Sequence, residues 1–131
     1  MRKLALFLSL ALLALAGPAA AAVSNGSYRG KTSQGNKVFA RVKGGKIASL
    51  SFAVSVRCNS GSFGSDVLVA KGVKIKASGA YKVTSKGDSA NGKATYVLKG
   101  KATNKKITGS IENFFRNGCQ TFDLKFTAKR R

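Results

Sequence analysis

The side chains able to do chemistry in this 131-residue sequence are few in kind. There is no His, which removes His–Asp and Cys–His catalytic pairs and imidazole metal sites. The carboxylates are Asp66, Asp88, Glu112 and Asp123, separated by 22, 24 and 11 positions, so no acid–base pair stands out. Four acidic residues among 24 Lys and Arg also argue against a Ca²⁺ or Mg²⁺ cage, which needs several oxygen anions close together. The serines have no imidazole to activate them, and no Ser–Lys dyad can be singled out among so many lysines. The expectation is a non-enzymatic chain without metal or cofactor. Cys58 and Cys119 are the two cysteines. Their spacing is far from C-x-x-C, and in an exported chain an even pair reads as one structural disulfide.

That bridge would gather the neighbouring loops. Arg57, Asn59, Phe63, Arg116 and Asn117 would then cluster at one end of the fold, where two guanidinium groups can clamp a carboxylate, phosphate or sulfate. This is the candidate anion or ligand contact. The plainer reading is two solvent-exposed arginines on disulfide-tied loops.

Charge is the strongest signal. The formal net charge is +20. Removing Arg2 and Lys3 with the leader described below leaves +18, carried by 16 Lys and 6 Arg against the four carboxylates. Outside the membrane such a chain attracts anionic polymers: lipopolysaccharide, teichoic acid, acidic polysaccharide or extracellular nucleic acid. The alternative is a well-hydrated, lysine-rich surface that keeps the protein soluble. Most aromatics fall on rows expected to face inward, which argues against a specific nucleic-acid role. Residues 47–70 interrupt the charge, with Arg57 the one cation among them. Their outward row, Ser49, Ser51, Ala53 and Ser55, is small and uncharged. It suits either a contact face or a central strand covered by its neighbours.

The N-terminus has a leader layout. Arg2 and Lys3 precede an apolar run over residues 4–16, then Gly17-Pro18 and small residues to Ala22. The expectation is a signal peptide over 1–22 and one domain over 23–131. The apolar run is shorter than the roughly 20 residues a membrane span needs. The expected location is secreted, periplasmic or at the cell envelope, with no transmembrane segment after cleavage.

The elements that must position these residues read as strands. Period-2 alternation recurs between Gly, Asn and Ser punctuation. Strands are expected over residues 27–32, 37–43, 46–58, 66–77, 81–84, 93–103, 107–115 and 119–129. Inward rows include Ala48, Leu50, Phe52, Val54, Val56 and Cys58, then Val73, Ile75 and Ala77, and finally Phe122, Leu124, Phe126 and Ala128. Gly44-Gly45 reads as a two-residue hairpin turn. Residues 59–65 and 85–92 read as loops. Of the adjacent Phe114 and Phe115, one must lie outside the core. About eight strands with hairpin links imply an all-β antiparallel meander closed into a small β-barrel or a barrel-like sandwich. A ligand-holding barrel is the alternative function. A lumen filled by Phe52, Leu124 and Phe126 would count against it.

The segments G-S-Y-R-G-K-T-S-Q-G (26–35), K-I-K-A-S-G-A-Y (74–81), I-T-G-S-I (107–111), G-C-Q-T (118–121) and F-T-A-K-R (126–130) resemble small exported bacterial β-proteins with one disulfide. That family has no assigned role to carry over. Gly26-Ser-Tyr28 and the basic pair Lys129-Arg130 are more loosely similar to the opening G-x-W and closing cation of avidin and lipocalin barrels. That likeness implies a barrel fold.

Overall fold

The computed structural model describes residues 23–87 and 93–131. The expected leader 1–22, and residues 88–92 of the expected 85–92 loop, lie outside the described residues. Every regular element described is a strand: β1 (Gly26–Thr32), β2 (Lys37–Lys43), β3 (Lys46–Cys58), β4 (Phe63–Lys74), β5 (Ala80–Ser85), β6 (Thr95–Ala102), β7 (Lys106–Arg116), β8 (Cys119–Thr121) and β9 (Leu124–Arg130).

All pairings are antiparallel, and six strands close a ring in the order β3–β2–β1–β9–β7–β8 and back to β3. β4 adds to the outer side of β3, and β6 then β5 extend from β7. The fold is thus a small closed barrel with three further strands, as the alternation and short turns imply. Closure depends on the three-residue β8, which bridges β3 and β7. Cys58 and Cys119 sit directly opposite each other in that bridge and form the disulfide. The bond therefore pins the shortest strand at the place where the ring closes.

Alternation carries the inward rows, and the interior is filled. Tyr28, Val38, Leu50, Phe52, Val54, Ile107, Ile111, Leu124 and Phe126 are all buried. The rings of Phe52 and Phe126 stand 5.2 Å apart at a 36° tilt, a geometry that aromatic pairs favour. One inward row runs Tyr81–Gly100–Gly109–Phe126 across β5, β6, β7 and β9. The two glycines leave a slot for the flanking rings. A Cβ on Gly109 would stand 2.6 Å from Phe126 Cζ and collide with the Tyr81 hydroxyl. That hydroxyl donates to the Thr108 carbonyl at 2.8 Å, which satisfies it in an otherwise apolar layer.

The structure departs from simple alternation at four places. A bulge between β2 and β3 inserts Ala48, so Ile47 rather than Ala48 joins Leu50 in the core. β4 begins at Phe63, inside the expected 59–65 loop, and ends at Lys74, leaving Ile75 half-buried and Ala77 exposed. In β7, Asn113 takes a left-handed φ of 53° where the pairing with β6 shifts. Phe114 then points in and Phe115 points out, 1% and 45% exposed. The expected 119–129 strand is broken at Phe122-Asp123, and Phe122 is 74% exposed instead of inward.

Candidate functional site

The disulfide does gather loops at one end of the barrel, but of the five candidate residues Arg57 and Phe63 line one depression, Arg116 and Asn117 line a second, and Asn59 lines neither. Arg57 and Phe63 are cross-strand partners on β3 and β4, with the guanidinium 5.8 Å from the ring centre. They line a groove of about 600 Å³ shared with Gln34, Gln120, Thr121 and Phe122. One side of it is tied down by Gln34. Gln34 donates to the Ser55 carbonyl at 3.0 Å and to Thr121 Oγ1 at 3.2 Å, and accepts from the Ser55 amide at 2.8 Å.

Arg116 and Asn117 line a second depression of about 360 Å³ with Phe115 and Lys93. Arg116 is already engaged: its Nη1 donates to Asp66 Oδ1 at 2.9 Å, tying β7 to β4. Its Nε is buried without a hydrogen-bond partner. Asn117-Gly118, with φ of 51° and 73°, forms the tight turn that folds β8 back onto β7. The Asn59 amide donates to the Gly118 carbonyl at 2.9 Å, joining the two loops beside the disulfide. Arg57 and Arg116 thus line separate depressions rather than a common one.

The larger electrostatic feature is a belt over the outer faces of β2, β1, β9, β7, β6 and β5. Outward positions carry Arg41, Arg29, Lys31, Lys37, Lys129, Lys125, Lys106, Lys101, Lys99 and Lys82, all exposed. The pairing places cations directly opposite cations: Lys31 and Lys37, Arg29 and Lys129, Lys106 and Lys129, Lys82 and Lys99. The ends of β3 add Lys46 opposite both Lys43 and Lys74. Among the described residues no directly opposed pair joins a cation to a carboxylate. Like charges in that position are destabilising. Glu112 meets Lys99 at 2.6 Å and raises the lysine pKa, through the hydrogen bond first and its charge second. Where β1 and β2 meet the C-terminal Arg131, four cations (Arg29, Lys31, Lys37, Arg131) and Phe39 line a depression of about 370 Å³. Sequence reading did not single out this group. Its signal was present in the matched alternation of 27–32 and 37–43, once those strands are known to be partners.

Within the cation-poor stretch β3 is a central strand, whereas residues 63–70 lie on the edge strand β4. β3 lies between β2 and β4. Its outward Ser49, Ser51 and Ala53 are half-covered, beside exposed Phe39, Val67 and Val69. Among the described residues no group of three or more potential ligands could hold a metal ion, and no helix is long and apolar enough to cross a membrane.

These observations define a class: a small, closed, disulfide-pinned β-barrel with a filled interior and its polar features outside. No protein family, curated protein or solved structure matches the chain, so neither a family nor a function is carried in from relatives.

Proposed function

We propose that the protein is a non-enzymatic, exported binding module. Its cationic outer surface would associate with anionic polymers of the cell envelope or its surroundings, such as lipopolysaccharide, teichoic acid or acidic polysaccharide. The observation that carries this reading is the set of directly opposed like charges. Each such pair costs stability, and a surface needed only for solubility would interleave acidic residues. The depression lined by Arg29, Lys31, Lys37 and Arg131 is where a phosphate or carboxylate would meet the densest group of donors. A disulfide suits an oxidising compartment, in keeping with the leader read over 1–22. The alternative of a small-ligand carrier is less favoured, because Phe52, Leu124 and Phe126 occupy the barrel interior. The test is retention on immobilised polyphosphate or heparin in a salt series. Binding by counterion release weakens steeply between about 50 and 200 mM salt. No retention at low salt would overturn the reading.

A further inference from the structure

Among the described residues the two most exposed large apolar side chains, Phe63 at 81% and Phe122 at 74%, lie on the same groove beside the disulfide. The groove, about 600 Å³, is of small-ligand size. Its polar complement is specific in kind. Arg57 is the one cation on it, and the other polar side chains (Gln34, Ser55, Gln120, Thr121) are neutral amides and hydroxyls. Gln34 is committed to the Ser55 backbone and to Thr121 Oγ1. Thr121 accepts that bond through its hydroxyl oxygen, which leaves the O–H proton available to donate, and the neighbouring Gln120 is exposed.

From this we infer that the groove is a subsite for one or two sugar rings of an acidic polysaccharide. The Phe63 and Phe122 faces would pack against ring C–H surfaces, Arg57 would take a uronate carboxylate, and Gln120 and Thr121 would take ring hydroxyls. Several neutral hydrogen-bonding groups to one cation match a ligand with several hydroxyls per charge. A nucleic-acid strand brings a phosphate at every nucleotide and calls for repeated cations. A bilayer would desolvate the amides and hydroxyls with nothing to pair them. The inference rests on the anionic-polymer reading only for the charge on the ligand. It adds the polymer class and a place on the molecule separate from the cationic belt.

The experiment is titration of the full chain with oligogalacturonate, and with neutral maltodextrin, oligodeoxythymidylate and phosphatidylglycerol vesicles as comparators. Phe63→Ser and Phe122→Ser remove exposed rings that contribute little to the core. Each is expected to weaken oligogalacturonate binding about tenfold, the size of one aromatic contact, while leaving retention on polyphosphate unchanged. Arg57→Gln should weaken the oligogalacturonate and reduce its salt dependence. The inference is overturned if oligogalacturonate does not bind, if both Phe variants bind it as the parent does, or if the Phe-dependent binding belongs to the oligonucleotide or the vesicles. Loss of polyphosphate retention by the parent would instead overturn the belt reading, so the two failures are distinguishable.

Discussion

Lys129 is the sharpest place to separate a working charge from a decorative one. It lies on β9 with Arg29 opposite on β1 and Lys106 opposite on β7. Lys129→Gln removes two like-charge oppositions and leaves every apolar contact in place. Cross-strand pairs are worth about 0.2–1 kcal/mol each, and exposure to solvent pulls these toward the low end. The expected gain is about 0.5 kcal/mol at low salt, which raises Tm by roughly 2–4 °C in a domain of this size. Screening shortens to about 3 Å in 1 M salt, so the gain should vanish there. Binding should move the other way. Losing one phosphate contact lowers the slope of log affinity against log salt by about 0.7 for a flexible polyanion. The assay is a thermal melt at low and high salt beside a polyphosphate titration across the same salts. Lys76→Gln, in the turn between β4 and β5, serves as a cation outside the belt. The reasoning is refuted if Lys129→Gln leaves Tm unchanged at low salt, or if Lys76→Gln alters the salt slope as much as Lys129→Gln does.

Two further outcomes follow from the same geometry. Cys58→Ala with Cys119→Ala frees a bridge of sequence separation 61, which chain entropy values at about 4 kcal/mol. Denaturant unfolding should show a loss of that order, and an unchanged midpoint would show that β8 closes the ring unaided. The buried Tyr81 has its pKa pushed well above the ordinary 10.0 by desolvation, and burial shifts Tyr28 and Tyr96 in the same direction. Below pH 10 both folded and unfolded chains keep the Tyr81 proton and stability is unaffected. Above pH 10 the unfolded chain ionises first, so stability should fall by up to about 1.4 kcal/mol per pH unit from this residue. Tyr81→Phe should flatten that decline while costing about 1 kcal/mol at neutral pH through the lost bond to Thr108. A decline of equal steepness in the variant would reject the assignment.

The strands were legible because one inward face per strand leaves a period-2 trace, as in Val38, Ala40 and Val42 or Leu124, Phe126 and Ala128. The disulfide was legible because two cysteines in one chain have one possible partner each. What alternation could not supply was its own interruptions. Asn113 adopts a left-handed backbone that Asn tolerates better than most residues, but nothing around it in the sequence separates a bulge from a continuous strand. Ala48 is small and apolar, so it fits an inward row as readily as the bulge it occupies. The five residues gathered near the disulfide were placed at one end by the bridge alone. The separation of Arg57 and Phe63 from Arg116 and Asn117 follows from their places on different elements and from Asp66, which arrives on β4 to engage Arg116. The cationic belt required knowledge of partners: each Lys is visible singly, whereas the opposition of Arg29, Lys129 and Lys106 exists only in the register β1–β9–β7.

The break at Phe122-Asp123 links closure to the outer surface. β8 has to pair with β3 and β7 to seal the ring, whereas β9 has to pair with β1 and β7. One straight strand cannot leave β3 for β1 without a corner, and the chain turns that corner at residues 122 and 123. The far side is fixed by Ser33, whose amide donates to the Lys125 carbonyl at 2.7 Å and whose hydroxyl accepts from the Lys125 amide at 3.1 Å. Leu124 therefore resumes the inward row, and Phe122, which alternation alone would send inside, is turned out. The β3–β4 hairpin presents Phe63 on the same side, opposite Arg57 and next to Gln120 across β3. The exposed rings of the groove thus arise from the corner and hairpin that accompany barrel closure. Substituting them should alter binding with little effect on folding, whereas core residues such as Phe52 and Phe126 should do the reverse.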